Sequence, residues 1–294
     1  MKLYYLYENL LKEIEKTLDD RPTIEKIANN LSVSSSHLCR LFKSAFNVSL
    51  ASYIRSRKLS ASINLLYNTN LHIIDIAQQY GFEHAQSYIR AFSNEFGLTP
   101  GQLRKSHEVV NITPPIHLFN AKNLTSGILF NPDIVFIPEI KCIGKEHKSL
   151  FDTNPEVPAK AGRDFWIYEK HKIHNILNKS IYFGLTKIIP NETKYNLYIP
   201  SVSVTSFDFV PKGFKPNTIP SCQCIRFCYI GEHHYLDINK NIAGAMYDSI
   251  ERFTSDNEAK YGLFKYNIFF EKINVKDYDG RYCKMEWFSP IYEK

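Results

Sequence analysis

The stretch that decides the fold of the first third of the chain is SSSHLCRLFKSAF, residues 34–46. Its apolar residues recur at the spacing of one helix face, and they are Leu38, Leu41, Phe42 and Ala45. This spacing predicts an amphipathic helix that buries one side. Ser34 or Ser35 can cap its start by accepting a backbone N–H bond. Arg40 and Lys43 are left on the outer face.

A second, shorter apolar pattern precedes it in TIEKIANNLS, residues 23–32. It predicts a short helix that is capped by Thr23 and ends near Asn30. Two short helices joined by a turn of three or four residues form a helix-turn-helix unit, whose second helix reads a DNA major groove.

The same arrangement occurs again in HIIDIAQQYGFEHAQSYIRAFSNEFG, residues 72–97, with the break at Gly81. Three residues of the first copy reappear 50 positions later, since Arg40, Phe42 and Phe46 match Arg90, Phe92 and Phe96. An internal repeat indicates two copies of one structural unit. Residues 49–69 between the copies contain no Gly or Pro and predict one helix of roughly 30 Å, close to one turn of DNA.

The bulk composition is typical of a globular protein. The 294 residues allow two domains, and 44% hydrophobic with 22% charged residues exclude disordered and fibrous classes. Glu8 and Glu13 interrupt the apolar pattern at the N-terminus, and no run of 18 apolar residues follows. We therefore expect a cytoplasmic protein with reduced cysteines and no membrane partner.

The net charge is +6, and the positive charge is denser at the front of the chain. Residues 1–107 hold 13 Lys and Arg against 9 Asp and Glu, whereas the remainder holds 23 against 21. This modest basic bias is compatible with binding to nucleic acid.

The character of the sequence changes after the second repeat. Pro114-Pro115 cannot continue a helix, which predicts a linker over 107–130 between a domain at 1–106 and one at 131–294. The last part alternates β-branched and aromatic runs with two helical stretches, at 165–177 and 242–253. The order is strand, helix, strand, strand, given twice, which favours an α+β domain with an antiparallel sheet and two helices built by duplication.

The residues IAQQYGFEHAQSYIRAFSNEFGLTPGQLRK, 76–105, resemble the signature of the AraC/XylS transcriptional regulators. The matching positions are Ala77, Gly81, Phe82, Arg90, Phe92, Gly97, Pro100 and Arg104. The likeness extends over about residues 5–106 and is strongest to the Rob/MarA/SoxS branch, whose DNA-binding domain is N-terminal. YIRSRKLS and PPIHL point within that branch to the Rob type. The resemblance implies an all-α domain with two helix-turn-helix units.

From residue 131 the runs CYIG, FFEK and EWFSPI resemble the GyrI-like effector-binding domain, which takes up small amphipathic or cationic molecules. EWFSPI departs from that family's usual ending, in which aliphatic residues precede Pro-Ile. Together the resemblances imply a transcription regulator, expected to activate a stress or drug-resistance response. Its partners would be double-stranded DNA, RNA polymerase and a small effector, and it would bind DNA as a monomer.

The candidate DNA contacts lie on the outer faces of the predicted helices: Ser36, Cys39, Arg40, Lys43, Arg55, Arg57, Ala85, Gln86, Ser87, Arg90 and Thr99. Arg40 can bridge guanine O6 and N7, Gln86 can bridge adenine N6 and N7, and Lys43 suits a phosphate. The alternatives are a solvated polar face without a partner, and pairing of Arg90 with Asp75 or Glu95 inside the domain.

The candidate effector contacts are Glu286, Glu271, Trp166, Tyr182, Tyr229 and Phe288. In the resembled family an acidic residue near Glu286 faces the ligand cavity, and a carboxylate ringed by aromatic side chains attracts an amphipathic cation. The alternatives are an exposed Glu286 on an edge strand and a Glu271 that pairs with Lys265 or Lys272.

Other kinds of site have little support. Cys222, Cys224 and Cys228 would share one face of a strand, but their spacing is not that of a structural zinc site, which favours buried thiols. The sequence contains no catalytic motif or phosphate loop, so we expect no enzyme, cofactor or metal. Two alternatives remain for the second domain, a small-molecule hydrolase and a module that only binds proteins.

Overall fold

The chain forms two compact units, residues 2–119 and 120–294. The computed structural model describes residues 2–19, 23–106, 108–118, 121–124, 126–150, 156–192, 194–238, 242, 246, 248–250, 252–253, 255, 261–263 and 266–293.

The first unit is all helical, as the sequence predicts. Its described residues form seven helices: α1 Lys2–Lys16, α2 Ile24–Asn30, α3 Ser35–Phe46, α4 Leu50–Asn68, α5 Ile73–Gln79, α6 Ala85–Phe96 and α7 Pro100–Ser106. Two helix-turn-helix units, α2 with α3 and α5 with α6, flank the long helix α4. The side chains expected to be buried in α3, Leu38, Leu41, Phe42 and Ala45, form its inner face.

Hydroxyl side chains mark where three of these helices begin. Thr23, Ser34 and Ser49 each accept a hydrogen bond from the backbone N–H three residues further on, at 3.1, 3.2 and 3.1 Å. Such caps satisfy backbone donors that have no partner within the helix. Of the two serines that the sequence offers for α3, Ser34 is the cap.

The two helix-turn-helix units are near copies that differ by one residue in the turn. Asn47 and Gly97 end α3 and α6 in the left-handed conformation, with φ of 56° and 75°, and lie 50 positions apart. In the turns, Ser32 and Gly81 have φ of 55° and 78° and lie only 49 positions apart. The second turn is therefore one residue longer. As a result, α5 lies 49 positions after α2, whereas α6 lies 50 positions after α3.

Buried tyrosine hydroxyls fasten both second helices to their neighbours. Tyr7 on α1 donates to the backbone carbonyl of Leu41 in α3 at 2.9 Å. Tyr88 on α6 lies 2.8 Å from the hydroxyl of Ser62 on α4. Both contacts are buried, where hydrogen bonds orient the groups that they join.

The second unit is built on one antiparallel sheet. Its strands are β1 Lys122–Leu124, β2 Gly127–Leu129, β3 Asp133–Ile137, β4 Ile140–Gly144, β5 His147–Leu150, β6 Ile181–Lys187, β7 Tyr195–Ser203, β8 Lys215–Ile219, β9 Cys222–Gly231, β10 Tyr261–Leu263, β11 Ile268–Asn274 and β12 Cys283–Glu293. The order is β1-β2-β9-β12-β11-β6-β7-β4-β8, while β3 pairs with β9, β5 with β7 and β10 with β12.

The helices of this unit differ in part from the predicted stretches. α8 spans Glu156–Asp164 and continues as a π-helical turn at Phe165–Glu169 and a 3-10 turn at Lys170–Lys172. The helix predicted at 165–177 thus begins nine residues earlier and ends five earlier. Of the stretch 242–253, residues 242, 246, 248–250, 252 and 253 are helical, and the others lie outside the described residues.

Both faces of the sheet carry apolar clusters. One face contains Tyr182, Phe227 and Trp287, and it is covered by Phe165 and Trp166 together with Ile242, Met246 and Ile250 from the later helical stretch. The opposite face contains Phe183, Phe270 and Phe288. Because side chains alternate along a strand, neighbouring residues of β11 and β12 serve different clusters.

The stretch 107–130, expected to be a linker, divides between the two units. Residues 108–118 form hydrogen bonds with side chains of α4. β1 and β2 join the sheet beside β9. None of the described helices has the length and apolar character needed to cross a membrane.

The left-handed end of α6 gives a test of this architecture. A Cβ at Gly97 would meet no atom within 4 Å, so Gly97→Ala isolates backbone strain and should cost about 1 kcal/mol. Gly101 on α7 also has open space but no positive φ, so Gly101→Ala should stabilise by about 0.5–1 kcal/mol. Urea unfolding followed by far-ultraviolet circular dichroism measures both. Equal effects of the two substitutions would contradict this account.

Candidate nucleic-acid interface and effector cleft

The outer face of α3 carries the side chains that the sequence places there. Ser36, Arg40 and Lys43 are exposed, at the i, i+4, i+7 spacing of one stripe, and Cys39 beside them is half-buried. A stripe of this kind can lie against base edges and phosphates together, because a helix fits the major groove.

The outer face of α6 carries a matching stripe. Gln86, Ser87 and Arg90 are exposed and Ala85 is half-buried. Within the described residues Arg90 forms no ion pair with Asp75 or Glu95, so the pairing considered from the sequence is not made. Unlike α3, α6 begins without a side-chain cap.

Two further candidates lie near these helices. Arg55 is exposed on α4. Thr99 begins α7, where its hydroxyl donates to Gln102 Oε1 at 2.8 Å and accepts from the Gln102 backbone N–H at 3.2 Å. The Thr99 hydroxyl is therefore engaged in a capping box.

Arg57, expected among the backbone contacts, has a different role. Only 7% exposed, it donates to both carboxylate oxygens of Glu15 on α1, at 2.8 and 2.7 Å, and to the carbonyl of Thr113 at 2.6 Å. A guanidinium with three bonds inside the unit is not available to a phosphate. The expected DNA contact at Arg57 is thus corrected to a structural ion pair.

A cleft opens on the helix-covered face of the sheet. It is open to solvent, holds about 360 Å³ of free space including the solvent at its mouth, and is lined by Ala159, Gly162, Arg163, Trp166, Tyr182, Tyr235, Leu236, Ile238, Ile273 and Val275. Two of the predicted effector residues, Trp166 and Tyr182, therefore lie on one cavity. Arg163 forms an ion pair with Asp237 at 2.7 Å.

Behind the cleft, a buried chain of hydrogen bonds leads from Tyr182 to Glu271. The Tyr182 and Tyr198 hydroxyls are 2.6 Å apart, and Tyr198 donates to Glu271 Oε1 at 2.5 Å. Burial and the nearby charge of Glu271 raise the pKa of both phenols well above its usual value. Since Tyr198 uses its proton on Glu271, Tyr182 donates to Tyr198, and the Tyr182 oxygen keeps its capacity as an acceptor.

Two glycines make room for these tyrosines. A Cβ on Gly162 of α8 would lie 2.7 Å from the Tyr182 hydroxyl oxygen. A Cβ on Gly184 of β6 would collide with Glu271 Oε1 and the Tyr198 hydroxyl. The absence of a side chain at both positions is what allows the hydrogen-bond chain to pass between helix and sheet.

Glu286, the first acidic candidate, lies on the opposite face of the sheet from this cleft. Arg226, Lys272 and Lys284 approach its carboxylate at 3.3, 3.2 and 3.5 Å. Burial alone would raise the pKa of Glu286, but these charges hold it below its ordinary value. The expectation that Glu286 faces the ligand cavity is corrected, because strand alternation points it away from Trp287 and Glu271.

The remaining effector candidates are also apart from the cleft lining. Tyr229 is buried, and its hydroxyl lies 2.8 Å from His233 Nε2. Phe288 stacks on Phe270, with ring centroids 4.8 Å apart, in the opposite cluster. Lys272 pairs with Glu286 and not with Glu271, and Lys265 lies outside the described residues.

The three cysteines of β9 are buried free thiols. Cys222 and Cys224 have sulfur atoms 3.8 Å apart, and burial raises the pKa of Cys228 to about 12. A thiol with so high a pKa is a poor nucleophile at neutral pH. The described residues contain no group of three His, Cys, Asp or Glu arranged to hold a metal ion.

Known proteins resemble the helical unit. Residues 27–106 match the family model described as a helix-turn-helix domain. Multiple antibiotic resistance protein MarA of Escherichia coli is 35% identical over 99 residues, which cover 34% of this chain and 78% of MarA. The chain belongs to the AraC family of helix-turn-helix proteins.

Within the AraC family, transcriptional regulator Rob of Salmonella typhimurium is 36% identical over 115 residues, or 38% of this chain. The match spans only 40% of the length of Rob. An integron cassette protein from Vibrio cholerae covers 59% of this chain at 13% identity with a TM-score of 0.38, a likeness from which nothing further follows.

The AraC-type helices were found from the sequence, but several residues of the cleft and of the hydrogen-bond chain behind it were not. Tyr198, Arg163 and the two glycines were missed. Gly184 did carry a signal, because an isolated glycine within a strand pattern such as IYFGLTK indicates a close approach of another group. Tyr198 carried none, since its partner Glu271 is 73 residues away.

The charges around Glu286 predict a specific pH dependence. Its folded-state pKa is depressed, so its stabilisation is present above the ordinary glutamate pKa and is lost as pH falls through the folded value. Glu286→Gln should reduce stability at neutral pH, on the order of 1–3 kcal/mol, and the deficit should shrink on acidification. Urea titrations at several pH values measure this. Glu139→Gln, at an exposed position of the same unit, is the control.

Proposed function

We propose that the chain is a sequence-specific DNA-binding regulator of transcription, with a second unit that binds a small effector. The observation that carries the proposal is the pair of exposed polar stripes on α3 and α6, at matching positions of one repeat. Membership of the AraC family and the names of Rob and MarA support it.

On α3, Arg40 is proposed to read the DNA sequence. A guanidinium donates two N–H bonds to guanine O6 and N7, whereas the ammonium of Lys43 acts as a point charge for a phosphate. Ser36 and Cys39 are small and reach fewer base atoms. This helix therefore depends mainly on Arg40 for discrimination.

On α6, Gln86 is proposed as the main reader. Its amide can donate to adenine N7 and accept from N6, which makes the contact selective for adenine. Arg90, one turn along, is proposed to contact guanine or a phosphate, and Ala85 and Ser87 flank Gln86. Arg55 and the start of α7 at Thr99 are proposed to contact the phosphate backbone of the DNA.

A single chain is proposed to span two segments of the groove. α4 has 19 residues, or about 28 Å of helix, which is close to one turn of DNA. Two reading helices joined by α4 can bind two groove segments without the symmetry of a dimer. RNA polymerase is the proposed partner for activation in the cytoplasm. Of the proposed stress or drug-resistance response, the name of MarA supports the resistance to drugs.

The second unit is proposed to be a GyrI-like domain that binds an amphipathic cation. Tyr182 presents an oxygen acceptor to the cleft, Glu271 supplies negative charge behind it, and Trp166 supplies an aromatic face. The strand pairing supports a duplication, because β6-β7-β4 in one half corresponds to β11-β12-β9 in the other and β6 meets β11.

Alanine substitutions on α3 and α6 test the proposed base contacts. Arg40→Ala and Gln86→Ala should each relax preference at one position of a site selected from random DNA, by about 1–3 kcal/mol. Lys43→Ala should weaken all duplexes alike and flatten the salt dependence by about one unit. Fluorescence anisotropy with selected and scrambled duplexes measures both. Equal losses on both duplexes for all three variants would contradict direct readout.

The cleft can be tested with tetraphenylphosphonium, an amphipathic cation. It should raise the melting temperature of the second unit's transition, because a ligand that binds only the folded state stabilises it. Glu271→Gln should abolish the shift, and Glu286→Gln, on the other face, should retain it. A shift that survives Glu271→Gln would place the cation elsewhere. Chemical conversion of an incubated ester would favour the hydrolase alternative.

A further inference from the structure

The segment that follows the AraC-type helices is fastened along α4. We define residues 108–116 as the strap. Four hydrogen bonds join it to α4: Tyr67 donates to the Glu108 carbonyl at 2.6 Å, Arg57 to the Thr113 carbonyl at 2.6 Å, Thr113 N–H to Ser60 Oγ at 3.0 Å, and Ile116 N–H to the Tyr53 hydroxyl at 2.9 Å.

These bonds follow one face of the helix. The α4 residues lie at positions 53, 57, 60 and 67, a spacing that returns to the same side. The strap runs antiparallel to α4, so that Glu108 at its start meets Tyr67 and Ile116 at its end meets Tyr53. The contacts extend along about 21 Å of helix. The strap thus spans most of α4, the helix that separates α3 from α6.

Two of the α4 residues that hold the strap also contact other helices of the unit. The Tyr53 ring packs against Phe42 of α3, with centroids 5.2 Å apart. Arg57 joins α1 through Glu15. From the strap itself, Thr113 Oγ1 lies 3.5 Å from Glu95 Oε1 on α6. The strap therefore touches residues that position both helix-turn-helix units.

We propose that the strap is a positioning element for DNA reading, which holds α4 and so sets the geometry of the reading pair. The inference rests on the proposed function, since it concerns how α3 and α6 meet their sites. Base contacts need both helices in register at once, whereas phosphate contacts tolerate displacement. Releasing the strap should therefore lower specific affinity and leave non-specific affinity unchanged.

The variant Tyr53→Phe/Ser60→Ala/Tyr67→Phe removes the side-chain half of three strap bonds and retains the rings, the reading faces and Arg57. In the full chain it should lose about 5- to 20-fold in affinity for a DNA site selected by the wild-type chain. Its affinity for random duplex and its salt slope should not change. Asn64→Ala, an exposed position on α4 outside the strap bonds, is the matched control. Affinities are compared at a temperature at which all variants are folded.

Hydrogen exchange of the wild-type chain gives an independent readout, because coupling between two sites is reciprocal. When the selected duplex is bound, the Thr113 and Ile116 amides should exchange more slowly, by the same factor of about 5 to 20 that is expected for the loss of affinity. Wild-type affinity in the triple variant, or unchanged exchange on DNA binding, would overturn the inference. Failure of the wild-type chain to select any site would instead overturn the proposed function, so the two failures are distinguishable.

Discussion

The helical unit depends on the rule that buried polar groups must be hydrogen-bonded, applied to α4. This helix is buried on several sides, and its buried residues include Arg57, Ser60 and Ser62. Each is hydrogen-bonded to another segment, and an unsatisfied polar group in the interior would cost about 1–3 kcal/mol. Arg57 binds Glu15 of α1, Ser60 the strap, and Ser62 Tyr88 of α6. These bonds connect α4 to α1, to the strap and to α6, and α4 in turn sets the distance between the two helix-turn-helix units.

The second unit satisfies two buried carboxylates in different ways. Glu271 and Glu286 are equally buried, at 9% exposure, and lie on neighbouring strands. Glu286 is surrounded by three cations, which neutralise it and make it structural. Glu271 accepts from the hydroxyl of Tyr198, and the Tyr182 hydroxyl joins this pair to the cleft. Only the second arrangement suits the cation binding proposed for the cleft.

The sequence predicted the first unit more fully than the second, because helix signals are local. Periodicity, caps such as Ser34 and the 50-residue repeat all act within a few turns. In the sheet, β1, β2, β5, β8 and β10 have only three to five residues, which leaves little alternation to detect, and Pro138 separates β3 from β4 within the single run IVFIPEIKCIG. The first nine residues of the helix predicted at 165–177 were missed because they contain Pro158 and Gly162, although proline is tolerated in a first helical turn.

What the sequence by itself determined is the paired set of amphipathic helices and which polar residues, Arg40 and Gln86 among them, point outward. These features repeat every 3.6 residues and need no distant partner. What only the tertiary structure decided is the role of each buried charge. Arg57 meets Glu15 across 42 residues, and Tyr198 meets Glu271 across 73. Such contacts are set by helix packing and strand register, which bring together positions that no local pattern relates.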